Sequence, residues 1–182
     1  MKRKNTLLSL KEYNPTCMLE ERYRQDMIYF LENNVNCFER TCKSGHFAAS
    51  CWIENASGTH VLLMHHKKLD QWFQLGGHAD GDSDLLGVAL KEAKEESGLE
   101  NIVPVSKDIF DVDVHVIPPY ADVPEHYHYD VRFFLKSPVE APLIINSESK
   151  DLRWFGKESS SLPTQNASIL RMFEKWRKIK NF

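Results

Sequence analysis

Three glutamates of this sequence, Glu92, Glu95 and Glu96, are spaced so that their carboxylates could act together in a chemical site. In a helix, positions i, i+3 and i+4 lie on one face, so three carboxylates would crowd into one turn and repel one another. A solvated acidic face is the ordinary explanation for such a pattern. Here, however, a Gly-Gly turn and an Asp-rich loop over 76–84 precede the helix, and Gly98 ends it. Clustered carboxylate oxygens suit a hard divalent cation, which would let this acidic face accept pyrophosphate oxygens.

A second polar group lies on two segments that alternate with period two. The alternation predicts strands whose polar residues share one face: Asp111, Asp113 and His115 in the first, and His126, His128, Asp130 and Arg132 in the second. If the two strands pair across 118–125, these faces adjoin. The ordinary interpretation is a solvent-facing side of an antiparallel pair. Charges of both signs among several histidines favour substrate phosphate binding by His126, His128, Asp130 and Arg132, and the two histidines could themselves bind a metal.

Composition restricts the classes of function. The 182 residues carry a formal net charge of −3, so no basic excess attracts a nucleic acid polymer. We find no membrane-length apolar segment and no signal peptide, and therefore expect a cytoplasmic protein without membrane partners. The four cysteines form no CxxC pair. Cys37, Cys42, His46 and Cys51 could be forced into a zinc site, but buried free thiols are the expected state.

The elements that must position these residues follow from hydrophobic periodicity and turn residues. Predicted helices cover 20–38, 85–97 and 166–179. A predicted hairpin joins strands at 47–53 and 60–65, and further strands are predicted at 103–116, 126–135, 143–145 and 152–155. Strands around one central helix, with helices at both ends, indicate an α/β (α+β) sandwich.

The segment from Gly77 to Leu99 resembles the Nudix box, GX5EX7REUXEEXGU, where U is a large aliphatic residue. With Gly77 first, Lys91-Glu-Ala-Lys-Glu-Glu-Ser-Gly-Leu99 covers the second half of the pattern without a gap. Lys91 replaces the usual Arg, which keeps the charge but loses the bidentate fork, and Ser83 replaces the first Glu. The resemblance implies an α/β/α sandwich around a mixed sheet over 46–182. Residues 1–45 would form an N-terminal helical extension packed with it as a single globular unit.

The resemblance also implies an activity. Nudix hydrolases cleave a pyrophosphate bond in a nucleoside diphosphate linked to another moiety, by attack of a metal-activated water on phosphorus. Glu92, Glu95 and Glu96 would be catalytic and, with the Gly77 backbone carbonyl, would hold Mg²⁺ or Mn²⁺. The general base would be a box glutamate or a carboxylate on a later loop, for which Glu148 is the candidate. The partner would be a small-molecule nucleotide or related diphosphate.

Two alternatives share the fold. An isopentenyl diphosphate isomerase would carry a reactive cysteine in Cys-Gly-His, but this chain has Gly76-Gly77-His78 and no cysteine beside the box. A non-catalytic nucleotide or metabolite sensor is left open by Ser83 and Lys91, although the intact glutamates oppose it. The N-terminal helices are candidates for a homodimer contact or for a cap over the site.

Overall fold

A computed structural model describes residues 2–119, 121–159 and 162–179. The predicted α+β class is confirmed, because four helices and one seven-stranded sheet are present within these ranges. In chain order the elements are α1 (Lys2–Glu12), α2 (Met18–Asn33), β1 (Gly45–Glu54), β2 (His60–His66), β3 (Gln71–Phe73), β4 (Leu75–His78), α3 (Leu85–Ser97), β5 (Val103–Ile117), β6 (His126–Lys136), β7 (Ser149–Gly156) and α4 (Ala167–Arg177).

The sheet has the strand order β3-β2-β1-β6-β5, with β4 beside β1 and β7 beside β2. The predicted hairpin is confirmed, and Ile53 is paired with Leu62 in it. The Asn55 side-chain oxygen accepts hydrogen bonds from the N–H groups of Thr59 and His60, at 2.9 and 3.0 Å, which closes the turn. Asn favours such turns because its side chain can bond to nearby backbone. The predicted neighbours β5 and β6 are also adjacent.

The described residues form two compact units. The first comprises the residues up to Ser50 together with Gly77–Ala89 and Ser106–Phe133. The second comprises Cys51–Gly76, Leu90–Val105 and the described residues from Phe134 onward. Each unit combines segments that are distant in the chain. The predicted domain boundary between residues 45 and 46 stays a prediction.

In the first unit, polar contacts fix the two N-terminal helices. The Arg3 guanidinium donates to the backbone carbonyls of Leu31, Asn34 and Val35 at the end of α2. These carbonyls have no partner inside the helix, and a cation there also complements the helix dipole. Buried Glu20 accepts hydrogen bonds from the Tyr13 hydroxyl at 2.6 Å and from the Thr16 backbone at 2.9 Å. The linker between α1 and α2 is therefore fixed by its own polar groups.

In the second unit, α4 begins at a capped residue. The Asn166 side chain accepts hydrogen bonds from the N–H groups of Ser168 and Ile169, which is the usual role of Asn at an N-cap. The buried side chains Ile169, Met172, Phe173 and Trp176 recur at helical spacing. The Trp176 indole N–H donates to the carboxylate of Glu54 at 3.1 Å.

The predicted strand at 143–145 is wrong. This segment has no strand structure, and the Ile144 N–H donates instead to the Ser97 carbonyl at the end of α3, at 2.8 Å. The last carbonyls of a helix have no partner within the helix. The segment 143–145 therefore bonds to the end of a helix instead of pairing with a strand. Among the described helices, none is long and apolar enough to span a membrane.

Candidate active site

Glu92 and Glu95 lie on α3 in the second unit, as the spacing predicts. Lys91 contacts both of them: its Nζ lies 3.3 Å from Glu92 Oε1 and 3.5 Å from Glu95 Oε2. The Glu92 side chain is mostly covered at 19% exposure, whereas the Glu95 side chain is 58% exposed. The structure therefore gives the lysine at the usual arginine position a role, which is to offset the charge of two box glutamates.

Glu96 has the most unusual environment of the three glutamates. It is only 5% exposed, and its Oε2 accepts a hydrogen bond of 2.8 Å from the Gly76 N–H. Burial raises its pKa from 4.5 to about 8, because a charged carboxylate is poorly solvated there. The negative charges of Glu92, Glu148 and Glu95 act in the same direction, while the Gly76 hydrogen bond opposes them. Such a carboxylate is more easily ionised beside a cation.

Glu148 lies in an exposed turn immediately before β7. Its backbone is fixed twice: its N–H donates to the Asn146 side-chain oxygen at 2.9 Å, and its carbonyl accepts from the Lys67 N–H at 2.8 Å. Its charge acts on Glu96 strongly enough to raise the pKa of that group. The structure thus brings Glu148 within electrostatic range of the box, although 52 residues separate it from Glu96 in the chain.

The loop that precedes α3 lies in the first unit and is held by hydrogen bonds. Asp84 is the N-cap of α3, since its Oδ1 accepts from the Gly87 N–H at 3.2 Å. Ser83 occupies the position of the first box glutamate, and its carbonyl accepts a hydrogen bond of 2.8 Å from the Thr6 hydroxyl. Arg40 forms two hydrogen bonds with the Asp80 carboxylate, at 2.6 and 2.7 Å. The N-terminal residues therefore brace the loop in which the first box glutamate is missing.

The start and end of the box are shaped by glycines. Gly77 lies on β4, directly after the Gly76 whose N–H bonds Glu96. Gly98 follows α3 with φ +74°, and a Cβ on it would lie 2.6 Å from Ile144. Its N–H donates to the Lys94 carbonyl at 2.8 Å. Left-handed backbone and close approach together require glycine at this helix end.

The polar faces of β5 and β6 adjoin as predicted, but Arg132 and the three aspartates on them are buried. Arg132 is 2% exposed, and its guanidinium contacts three aspartates. Its nitrogens lie 2.7 Å from Asp130, 3.2 Å from Asp111 and 3.4 Å from Asp113. The Ser50 hydroxyl also donates to Asp130, at 2.8 Å. The solvent-facing interpretation is therefore wrong for these residues.

The burial of Asp130 and Arg132 argues against their predicted contacts with a substrate. The attraction of three carboxylates raises the pKa of Arg132, although burial by itself would lower it. A guanidinium with carboxylates on all sides has little capacity left for a phosphate. We assign Arg132 and Asp130 a structural role in joining β5 to β6.

His126 and His128 belong to a group of histidines in the first unit that the sequence did not reveal. The ring of His46, on β1, lies 5.0 Å from that of His126 and 4.7 Å from that of His128. The His78 ring, on β4, lies 4.8 Å from His128 and 5.0 Å from His46. The His115 ring lies 5.5 Å from that of His128. No spacing rule connects positions 46, 78 and 128, and strand order alone brings them together.

The cysteines do not form the zinc site that was considered for Cys37, Cys42, His46 and Cys51. All four thiols are free, and three of them are buried, whereas Cys17 is exposed. The expectation of buried free thiols therefore holds for Cys37, Cys42 and Cys51 but not for Cys17. His46, the histidine of that hypothetical set, belongs to the histidine group instead.

Comparisons with known proteins identify the family and the fold of this chain. The sequence profile of the NUDIX domain matches residues 45–176, and the chain therefore belongs to the Nudix family. An Ap4A hydrolase from C. elegans has a similar fold, with a TM-score of 0.57 at 18% identity over 71% of this chain and 93% of that chain. A NUDIX-family hydrolase from Clostridium perfringens has a TM-score of 0.53 at 24% identity, over 74% of this chain and 98% of that chain. No curated protein sequence matches significantly.

A third similar structure is the E. coli dihydroneopterin triphosphate pyrophosphohydrolase, with a TM-score of 0.55 at 17% identity over 71% of this chain and 92% of that chain. The predicted family, fold and enzyme class are thereby confirmed: the chain is a Nudix hydrolase, of the class that cleaves pyrophosphate bonds. Members of this class generally use divalent metals and act on small-molecule, nucleotide-linked substrates.

Proposed function

We propose that this protein is a Mg²⁺- or Mn²⁺-dependent hydrolase that cleaves the pyrophosphate bond of a nucleoside diphosphate linked to another moiety. The observation that carries the proposal is Glu96. A buried carboxylate with a raised pKa, beside two further glutamates of one helix turn, is costly to a metal-free protein. That cost is common where carboxylates are arranged to bind a cation.

The donor set fits a hard divalent cation. Glu92, Glu95 and Glu96 offer carboxylate oxygens, which suit Mg²⁺ and Mn²⁺ better than softer metals. When bound, such a cation would lower the pKa of a water and offset charge on the substrate's phosphate oxygens. Coordination by the Gly77 carbonyl stays a prediction.

The chain's own groups supply the remaining chemistry. Gly76 holds Glu96 Oε2, so the proton that Glu96 retains below its raised pKa resides on Oε1. Lys91 holds Glu92 and Glu95 and limits their mutual repulsion. We propose Glu148 as the group that accepts a proton from the attacking water, because it is exposed and carries its charge into the vicinity of Glu96.

Residues 1–45 are proposed as an extension that braces the box loop. The Thr6 bond to Ser83 and the Arg40 pair with Asp80 support this role. A homodimer contact through α1 and α2 stays a prediction that analytical ultracentrifugation would test, and so does a cytoplasmic location. Substrate contacts by His126 and His128 are likewise predictions.

A turnover assay tests the proposal. The purified chain is incubated with Mg²⁺ or Mn²⁺ and a panel that contains Ap4A, nucleoside triphosphates, ADP-ribose and dihydroneopterin triphosphate. Two of these are chosen because they appear in the names of similar structures. We expect metal-dependent release of phosphate-containing products. Glu95→Gln and Glu92→Gln should lower kcat by at least about 100-fold, because each removes a ligand charge.

Glu100→Gln is the matched control, since Glu100 is an exposed glutamate just beyond the box. It should keep the parent's activity. Tight binding of a nucleotide by the parent chain without any turnover would support the sensor alternative instead. Equal turnover by the parent and Glu95→Gln would contradict the hydrolase proposal.

A further inference from the structure

Three histidines from three strands converge in the first unit. His46 lies on β1, His78 on β4 and His128 on β6, and one ring nitrogen of each lies within 4.8 Å of the others. His126 lies beside two of the three, because its ring is 5.0 Å from that of His46 and 5.2 Å from that of His128. Burial removes water from the polar atoms of such rings, and a shared ligand would compensate for that loss.

The second observation is that ring nitrogens in this cluster are buried without partners. His46 is 4% exposed, and within the described part of the chain neither its Nδ1 nor its Nε2 has a hydrogen-bond partner. His128 Nε2 is also buried, and it has no hydrogen-bond partner among the residues that the structure describes. Buried polar atoms are nearly always satisfied, because leaving one unsatisfied incurs the full cost of removing it from water. These atoms are therefore candidates for bonds to a ligand.

Burial also affects the protonation of two of the three histidines, His46 and His128. Burial lowers the pKa of His46 to about 4, and the charges of His78 and His126 act in the same direction. Burial likewise lowers the pKa of His128 to about 2. Both shifts favour the neutral form of these two rings, which is the form that offers a lone pair to a metal.

The charged network around Arg132 carries a net negative charge, which favours a cation nearby. Arg132 and its partners Asp111, Asp113 and Asp130 sum to a formal charge of −2. His115 connects this network to the histidines, because its Nδ1 lies 3.1 Å from Asp113 and its ring lies 5.5 Å from His128. His126 is oriented by the Pro124 carbonyl, which accepts from its Nδ1 at 2.9 Å and so leaves Nε2 as the lone-pair nitrogen of the neutral ring.

Backbone geometry keeps His46 in place. The preceding Gly45 approaches β6 so closely that a Cβ on it would lie 2.5 Å from the Tyr127 carbonyl oxygen. The Tyr127 N–H in turn donates to the Ser44 carbonyl at 3.1 Å. The beginning of β1 is thereby held against β6, the strand that carries His128.

We propose that His46, His78 and His128 form a second metal site, separate in its ligands from the box glutamates, that takes a nitrogen-preferring divalent ion of the Zn²⁺ class. Three imidazoles leave one tetrahedral position open, as in zinc sites that bind water or a substrate atom. Zn–N bonds of about 2.0–2.1 Å require ligand nitrogens about 3.3 Å apart, so the rings would turn toward one another on binding. Mg²⁺ would select the carboxylates instead.

The test measures metal binding rather than activity, so it does not depend on the proposed hydrolase function. The full chain is dialysed against a chelator and titrated with Zn²⁺ alone by calorimetry. Co²⁺ then replaces Zn²⁺ and its visible absorption is recorded. We expect one tight Zn²⁺ per chain and an intense Co²⁺ band of a nitrogen-rich, low-coordinate site, both retained in Glu92→Gln/Glu95→Gln.

Two variants remove ligands, and a third is the control. His128→Gln and His78→Gln should weaken Zn²⁺ binding at least about 100-fold and abolish the Co²⁺ band. His60→Gln changes an exposed histidine and should leave both unchanged. Circular dichroism melting in chelator shows whether each variant folds. If neither variant folds, X-ray absorption of the Zn²⁺-loaded parent decides, and a first shell without imidazole overturns the proposal. The proposal is also overturned if the parent does not bind Zn²⁺, or if folded His128→Gln and His78→Gln bind it as tightly as the parent.

Discussion

Glu96→Gln should stabilise the metal-free protein at neutral and alkaline pH. In the unfolded chain Glu96 has its ordinary pKa of 4.5, whereas burial and nearby carboxylates raise the pKa in the folded protein to about 8. Between these values the folded state holds a proton that the unfolded state has released. The free energy of unfolding therefore falls as pH rises through this window. Gln has nearly the same shape, keeps an oxygen for the Gly76 N–H and cannot ionise.

The magnitude follows from the size of the pKa shift. Each pKa unit corresponds to about 1.4 kcal/mol, so the full shift from 4.5 to about 8 amounts to roughly 5 kcal/mol. The stability of Glu96→Gln relative to the parent should thus rise by about 2–3 kcal/mol between pH 5 and pH 7 and level off above pH 8. The pH dependence of all other titrating groups is common to the two proteins and cancels in the difference between their free energies of unfolding.

Urea unfolding in the presence of EDTA, followed by circular dichroism at pH 5, 6, 7, 8 and 9, measures the difference. Glu100→Gln is the matched control, because it removes the charge of an exposed glutamate just beyond the box and leaves Glu96 and its neighbouring carboxylates intact. Adding Mg²⁺ at pH 8 should stabilise the parent and leave Glu96→Gln nearly unchanged. Parallel curves for the parent and Glu96→Gln between pH 5 and pH 8, or a parent that is the more stable at pH 8, would refute this reasoning.

Three further substitutions test other parts of the structure by urea unfolding. Gly98→Ala should cost more than about 2 kcal/mol, since its φ is +74° and its Cβ would lie 2.6 Å from Ile144; a cost below about 1 kcal/mol would contradict this packing. Arg132→Met should cost about 3–5 kcal/mol at pH 7, because it leaves buried carboxylates without their cation; a cost below about 1 kcal/mol would argue against the network. Thr6→Val should cost about 1 kcal/mol through loss of the hydrogen bond to Ser83, and Thr6→Ser, which keeps the hydroxyl, should recover most of it.

Local signals in the sequence were sufficient for the box helix. Apolar residues at helical spacing and a glycine at the end predict a helix over 85–97, and α3 spans Leu85–Ser97. The hairpin of β1 and β2 was predictable for the same reason, because Asn55 and Gly58 supply the turn. The apolar run at 143–145 has the same local appearance as a strand, yet it docks on the end of α3. Periodicity does not reveal which partner an apolar segment will meet.

The sequence by itself determined the family, the α+β class and the three glutamates, since these depend on spacing within a single turn-and-helix segment. Only the tertiary structure decided what surrounds them. Burial gives Glu96 its raised pKa, and a turn 52 residues away brings the charge of Glu148 close enough to act on it. Strand order likewise joined His46 and His78 to His128 and enclosed Arg132 among aspartates. The physical reason is that desolvation and charge coupling depend on distance in space, which pairing between distant strands sets.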